Sequence, residues 1–248
     1  MRVDVVFGVA QLTPQDAQGR VVAVIDVLRA STTIAVAISN GAKAVIPMES
    51  PDDAVTRAKQ LERGAYRLAG ERKMLKMEGF DLGNSPLEHT AEAVEGKTIL
   101  MTTTNGTRAL LAIQGARDVV VASYVNLTAV SAMLRSAIRG GTDITLLCAG
   151  HDRQFALEDA GCAGRYVHAI SKRLTDVQLN DAALAASLID KKYGENVMRL
   201  FKAAAHGQAL AGAGFEGDLV ACAAVDSYAV IPIYQDRQIT KLGPDRER

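Results

Sequence analysis

Four short segments concentrate the residues able to handle a charged ligand. In Asp26–Val27–Leu28–Arg29–Ala30–Ser31–Thr32–Thr33, an acid closes an apolar run and three hydroxyls follow it. A carboxylate at a strand end can meet a metal or a phosphate. A helix opening at Ser31, Thr32 and Thr33 offers an anion its free backbone N–H groups and positive dipole end. The plainer alternative makes Ser31 a cap and Asp26–Arg29 a structural ion pair. In Thr102–Thr103–Thr104–Asn105–Gly106–Thr107–Arg108, hydroxyls and an amide crowd donors around one turn, and Gly106 admits close approach of backbone to a ligand. The glycine spacing and lysine of a Walker A loop are missing. Gly70–Glu71–Arg72 and Gly79–Phe80–Asp81–Leu82–Gly83–Asn84–Ser85–Pro86 place acids, an arginine, an amide and a hydroxyl between glycines. Such density suits a binding loop, or else an Ω-loop closed by its own side chains. Cys148–Ala149–Gly150 precedes Glu158–Asp159, an acid pair that could bind a cation or merely complement a helix dipole.

Carboxylates and anion-cradling turns suit phosphate chemistry, which needs charge neutralisation and positioning more than a strong base. Hard oxygen donors favour Mg²⁺ over zinc. His89, His151, His168 and His206 show no ligand spacing and read as surface or core residues. An aspartyl nucleophile of the haloacid-dehalogenase type wants an acid two places after the first, but Leu28 follows Asp26 there. A cysteine nucleophile wants Arg six places on, and Gln154 stands there after Cys148, with Arg153 one place short. Attack by metal-activated water is the remaining route.

The elements that must position these groups are legible as alternating strands and helices. Val21–Val27, Ala44–Pro47, Thr98–Met101, Val119–Ala122 and Ile144–Leu147 are continuously apolar, as strands covered on both faces are. Ser50 with Pro51 and Asp53 marks a helix start, and Asn126 caps a helix that Gly140–Gly141 ends. The order predicts an α/β protein with three α/β/α layers and a mainly parallel sheet. Residues 21–55 also echo residues 95–129 at an offset of about 74, so an internal duplication of a βαβ unit is expected, against chance likeness of two such units. That arrangement would share the active site between two equivalent strand-to-helix turns. Beyond Ala149, Glu158–Arg173 and Asn180–Leu210 read as helices, Tyr228–Leu242 as a terminal strand or hairpin, and Gly243–Arg248 as a polar tail. One domain over 1–248 is expected, with two packed halves meeting near 140–150 as the alternative.

Composition excludes other classes. The 248 residues carry zero formal net charge with both signs interspersed, few aromatics and no Trp, which argues against a nucleic-acid partner. No apolar run is long enough for a membrane span, and Met1–Arg2–Val3–Asp4 does not open a signal peptide. Three widely spaced cysteines suggest neither disulfides nor a zinc site and fit a reducing cytoplasm. A homo-oligomer is compatible with all of this.

Val24–Thr32, Gly70–Arg72, Gly79–Pro86, Thr102–Thr107, Cys148–Gly150, Glu158–Asp159 with Ala163–Gly164, and Asp218 with Cys222 together resemble the 2-phosphosulfolactate phosphatases. The resemblance runs from the first strand to Val230–Ile231–Pro232. Lys73–Met74–Leu75–Lys76–Met77–Glu78 departs from it, where a Gly-containing stretch is expected, and this bears on substrate preference. The resemblance implies an α/β/α fold and Mg²⁺-dependent hydrolysis of 2-phospho-3-sulfolactate to 3-sulfolactate and phosphate, a step in coenzyme M biosynthesis. Such a small, highly anionic phosphoester needs cations, and Arg29, Arg72 and Arg108 stand beside the cradling turns. The expected site has Asp26, Asp81, Glu158 and Asp159 as oxygen ligands of Mg²⁺, with Glu71 orienting the attacking water. Ser31, Thr32, Thr33, Asn84, Ser85 and the turn Thr103, Thr104, Asn105, Gly106, Thr107 hold the substrate. Hydrolysis of another phosphorylated hydroxy acid, or anion binding without turnover, are the rival readings.

Overall fold

Valine and isoleucine runs with no polar alternation must be buried on both sides, and the computed structural model describes such a protein over residues 1–243 apart from Arg153, Arg173 and Thr175. The expected polar tail beyond Gly243, and Arg173 at the end of one expected helix, lie outside the described residues. The first half runs β1 (Arg2–Val6), α1 (Pro14–Ala17), β2 (Val21–Ile25), α2 (Ala30–Ser39), β3 (Ala44–Pro47), α3 (Pro51–Ala58), β4 (Tyr66–Arg72) and β5 (Leu75–Lys76). Then come α4 (Ala91–Val94), β6 (Thr98–Thr102), α5 (Gly106–Ala112), β7 (Asp118–Ala122), α6 (Leu127–Arg139) and β8 (Ile144–Cys148). The remainder is α7 (Leu157–Ser171), β9 (Gln178–Leu179), α8 (Asp181–Tyr193), α9 (Val197–Ala203), α10 (Ala205–Gly212), α11 (Glu216–Cys222), β10 (Pro232–Gln235) and β11 (Gln238–Lys241).

All the strands join one sheet in the order β5-β4-β6-β3-β11-β10-β7-β2-β8-β1-β9. Alternate residues of β2 enter different cores. Val21, Ala23 and Ile25 pack with α6, α7 and α8, whereas Val22 and Val24 pack with α2 and α5. Helices therefore cover both faces, and the strands are apolar throughout for that reason. Gly164 lets α7 approach α8, since a Cβ there would collide with the Ala186 carbonyl.

One expectation is met only in part and one needs correction. The sheet is mixed, parallel in most of its strand pairings but not throughout. Parallel pairs join β9, β1, β8, β2 and β7 on one side and β4, β6 and β3 on the other. The hairpin β10–β11 enters antiparallel between β7 and β3, and Ile233 and Ile239 are buried there. Asn126 stands at the N-terminal cap position of α6, but its side chain makes no capping bond there. Its Oδ1 accepts the Ser123 N–H and its Nδ2 donates to the carbonyls of Val121 and Val230, tying a strand end to the C-terminal segment. Ser50 does cap α3, accepting the Asp53 N–H with Pro51 in the first turn. The two echoing segments share a strand–helix–strand order, and each contributes one strand to either side of the hairpin. Among the described residues no helix is long and apolar enough to cross a membrane.

Candidate active site

The residues at or just past the C-terminal ends of β2, β4, β6 and β8 meet around one cavity, as ligand sites in α/β proteins gather beyond strand ends. This cavity of about 370 Å³ is reached by Asp26, Glu71, Thr104, Asn105, His151 and His206. Each residue is placed by local chemistry. Asp26 leaves the last apolar turn of β2, and its Oδ1 accepts the Ala30 N–H at the start of α2. Gly106 makes room for it, because a Cβ there would stand 2.8 Å from Asp26 Oδ2. Glu71, next to last in β4, fastens two turns. Its Oε1 accepts the Thr104 N–H and hydroxyl, and its Oε2 accepts the Met74 N–H.

The electrostatics centre on Asp26. Burial pushes its carboxyl up to about 6, and the neighbouring Glu71 and Glu158 add to this, opposed by His206 and the Ala30 N–H. Burial also raises Asp159 well above the carboxylate range, with Asp26 and Glu158 contributing. A like-charge group in a dry site favours a cation or a proton. Burial likewise holds the Cys148, Cys162 and Cys222 thiols well up, so none is a thiolate nucleophile at neutral pH.

Several expected residues are elsewhere or otherwise engaged. Asp81 is exposed, outside the cavity, and its Oδ2 accepts the Leu68 N–H at 2.7 Å, so it secures a loop. Asp159 spans two strand ends, Oδ1 on the Val27 N–H and Oδ2 on the Gly150 N–H, and both its oxygens are occupied. Glu158 is buried against His206, Oε1 to Nδ1 at 3.2 Å. Arg108 is exposed on α5 and does not line the cavity. The hydroxyls meant to hold phosphate at α2 bond inward: Ser31 to the Asp26 N–H, Thr32 to the Val27 carbonyl and Ser123, Thr33 to the Asn84 carbonyl. That helix start carries Asp26 instead of an external anion. Thr103 and Thr107 cap each other reciprocally, and Thr103, Thr104 and Asn105 line the cavity, whereas Thr107 does not. Ser85 donates to Asp218, while Asn84 lines the cavity with its Oδ1 buried and unpartnered.

The guanidiniums are also bound. Arg29 pairs with Asp218 at 2.6 Å, donates to the Met74 carbonyl and lies over the Phe215 ring. Arg72 donates to the Glu71 carbonyl and Thr102 Oγ1 and lines the cavity, as does Lys73. Sequence reasoning singled out the segments holding Asp218 and Lys73 without giving either a place in the site, and it missed the histidine pair. His151 and His206 stack with ring centroids 4.1 Å apart at the cavity wall. His89 and His168 are, as expected, a core and a surface histidine. His151 could have been found from its place just past the end of β8, but nothing in the spacing announces His206.

Among the described residues no three His, Cys, Asp or Glu side chains converge as a metal cage. Mg²⁺ does not require one, because it commonly takes one or two carboxylates and completes its shell with water and substrate phosphate. The donor set fits that use: Asp26 lines the cavity, with Glu71 and Glu158 near enough to raise its carboxyl.

Comparison with known proteins gives one answer. The family profile described as 2-phosphosulpholactate phosphatase matches residues 7–237. A Symbiobacterium thermophilum protein named probable 2-phosphosulfolactate phosphatase is 39% identical over 92% of this chain and 97% of its own. One of the same name from Caldanaerobacter subterraneus is 38% identical over 89% of this chain and 90% of its own. A Clostridium botulinum protein, also so named, is 34% identical over 98% of this chain and all of its own.

Proposed function

The chain belongs to the 2-phosphosulfolactate phosphatase family, and from that premise we propose that it is a Mg²⁺-dependent phosphatase. Its substrate is 2-phospho-3-sulfolactate, released as 3-sulfolactate and phosphate in a step of the coenzyme M biosynthesis type. The observation that carries the reading is Asp26, a buried acid facing a cavity that Arg72, Lys73 and His206 also line. An acid among acids calls for a cation, and the basic groups around it suit an anionic ligand.

Asp26 would hold Mg²⁺, with Glu71 and Glu158 contributing negative potential. The chemistry Mg²⁺ supplies when bound there is neutralisation of charge on the phosphoryl oxygens. Thr104 and Asn105 position the phosphoryl group, and Arg72 offsets its charge. Glu71 fixes both turns that frame it. Water would attack phosphorus as the ester P–O bond breaks, and His206, held by Glu158 and stacked on His151, would give a proton to the departing alkoxide oxygen.

The test is phosphate release from 2-phospho-3-sulfolactate against a panel of phosphomonoesters, in EDTA and after Mg²⁺ is restored. Turnover should vanish in EDTA, return with Mg²⁺, and favour phosphosulfolactate. His206→Gln should slow this alkyl ester far more than p-nitrophenyl phosphate, whose leaving group needs no proton. Full activity in EDTA, or preference for an unrelated ester, would contradict the reading.

A further inference from the structure

The turn Lys73–Met74 joins β4 to β5, whose residues pair Arg72 with Leu75 and Glu71 with Lys76. Both turn residues have positive φ, 51° for Lys73 and 70° for Met74. A two-residue hairpin of that kind favours Asn and Gly, because other side chains are strained there. Two site residues hold the turn in place. Met74 donates its N–H to Glu71 Oε2 and accepts from Arg29 Nη2 through its carbonyl. Arg29 is itself anchored to buried Asp218. The strained turn is thus fixed against the cavity by the same groups that build it, which is where such strain usually has a use.

Lys73 lines the cavity from this turn. Arg29 is committed to Asp218 and Met74, and Arg72 donates to Glu71 and Thr102. Among the described residues Lys73 is the lining Lys or Arg with no hydrogen bond or ion pair. A phosphoester that also bears carboxylate and sulfonate brings more negative charge than Arg72 alone answers. We propose that Lys73 is a specificity-determining residue that binds a second, carbon-borne anion of the substrate. The ammonium is a compact point charge on a long stem, suited to a carboxylate or sulfonate at the cavity mouth. This inference rests on the proposed phosphatase reading and narrows it: Lys73 distinguishes multiply anionic esters from simple ones.

The experiment measures kcat and KM for wild type, Lys73→Asn and Lys73→Arg on three esters. These are 2-phospho-3-sulfolactate, 2-phospholactate without the sulfonate, and isethionate phosphate without the carboxylate. Asn is at home at positive φ, so Lys73→Asn removes the charge without straining the turn, and Tm should hold or rise. Its kcat/KM on phosphosulfolactate should fall about 10- to 100-fold, the range for losing one charged hydrogen bond, chiefly through KM. The loss should be at most about threefold on whichever ester lacks the anion that Lys73 meets. That ester identifies the anion, and Lys73→Arg should recover most of the loss. Equal losses on all three esters, or none on phosphosulfolactate, would overturn the role of Lys73 while leaving the phosphatase reading intact. A wild type inactive on phosphosulfolactate would instead strike the parent reading, and this one with it.

Discussion

Asp26 shows how much one carboxylate can report. Its ordinary value is 3.8, and the folded protein holds it at about 6, mainly through burial. Well below pH 4 the group is protonated in both states. Between those values the folded protein keeps a proton that the unfolded chain has released, so stability falls as pH rises, and it is level above. In the absence of a divalent cation that loss is on the order of 3 kcal/mol. Asp26→Asn keeps the shape and can still accept the Ala30 N–H. Denaturation in EDTA should therefore find it close to wild type near pH 4 and more stable by a comparable margin at pH 7. Mg²⁺ should stabilise the wild type, as any ligand of the native state does, and leave the variant unmoved. Turnover should fall about 10²-fold or more. A variant less stable at pH 7 with unchanged turnover would make Asp26 a structural residue.

At the level of elements, the acids that a sequence presents alike divide by what their oxygens meet. Asp26, Glu71, Glu158 and Asp159 were legible as strand-end or helix-start acids, because apolar runs and Gly turns mark those places. Which oxygen faces the cavity was not legible, because it depends on backbone N–H groups contributed by distant segments. Asp159 joins α7 to the ends of β2 and β8, and Asp81 joins its loop to β4. Lys73, His206 and Asp218 enter the site only through the β4–β5 turn and the return of α10 and α11, neither of which leaves a periodic signal. Replacement separates these roles. Asp159→Ala strands two buried N–H groups and should cost about 2–5 kcal/mol. Asp81→Ala, at an exposed site, should cost about 1 kcal/mol or less and spare turnover. Urea titrations and phosphate release on both variants check this. An Asp159→Ala protein of normal stability that has lost its response to Mg²⁺ would return Asp159 to the metal.

On the scale of the molecule, the decisive feature is the one that strand-by-strand reading does not reach. Continuous apolar runs located the β2, β3, β6, β7 and β8 strands. The order in which strands pair is set by contacts far apart in sequence, so the entry of β10–β11 at the centre left no local mark. That hairpin bridges two parallel groups of strands, with Ile233 beside Val120 of β7 and Ile239 beside Val45 of β3. β8 pairs with both β1 and β2, so residues 144–148 lie inside the sheet. A sheet bridged in this way should unfold as one unit, since neither group can keep its inner edge paired once the hairpin leaves. Calorimetric and van't Hoff enthalpies should agree in the wild type. Ile239→Ala removes a fully buried side chain on the hairpin and should cost about 2–5 kcal/mol. Because the hairpin serves both groups, that change should lower a single transition without splitting it. Amide exchange should slow to the global limit in β7 and β3 alike, and quicken together in the variant. Two transitions in the wild type, or exchange that quickens on one side of the hairpin alone, would mean that the halves fold separately and meet only by packing.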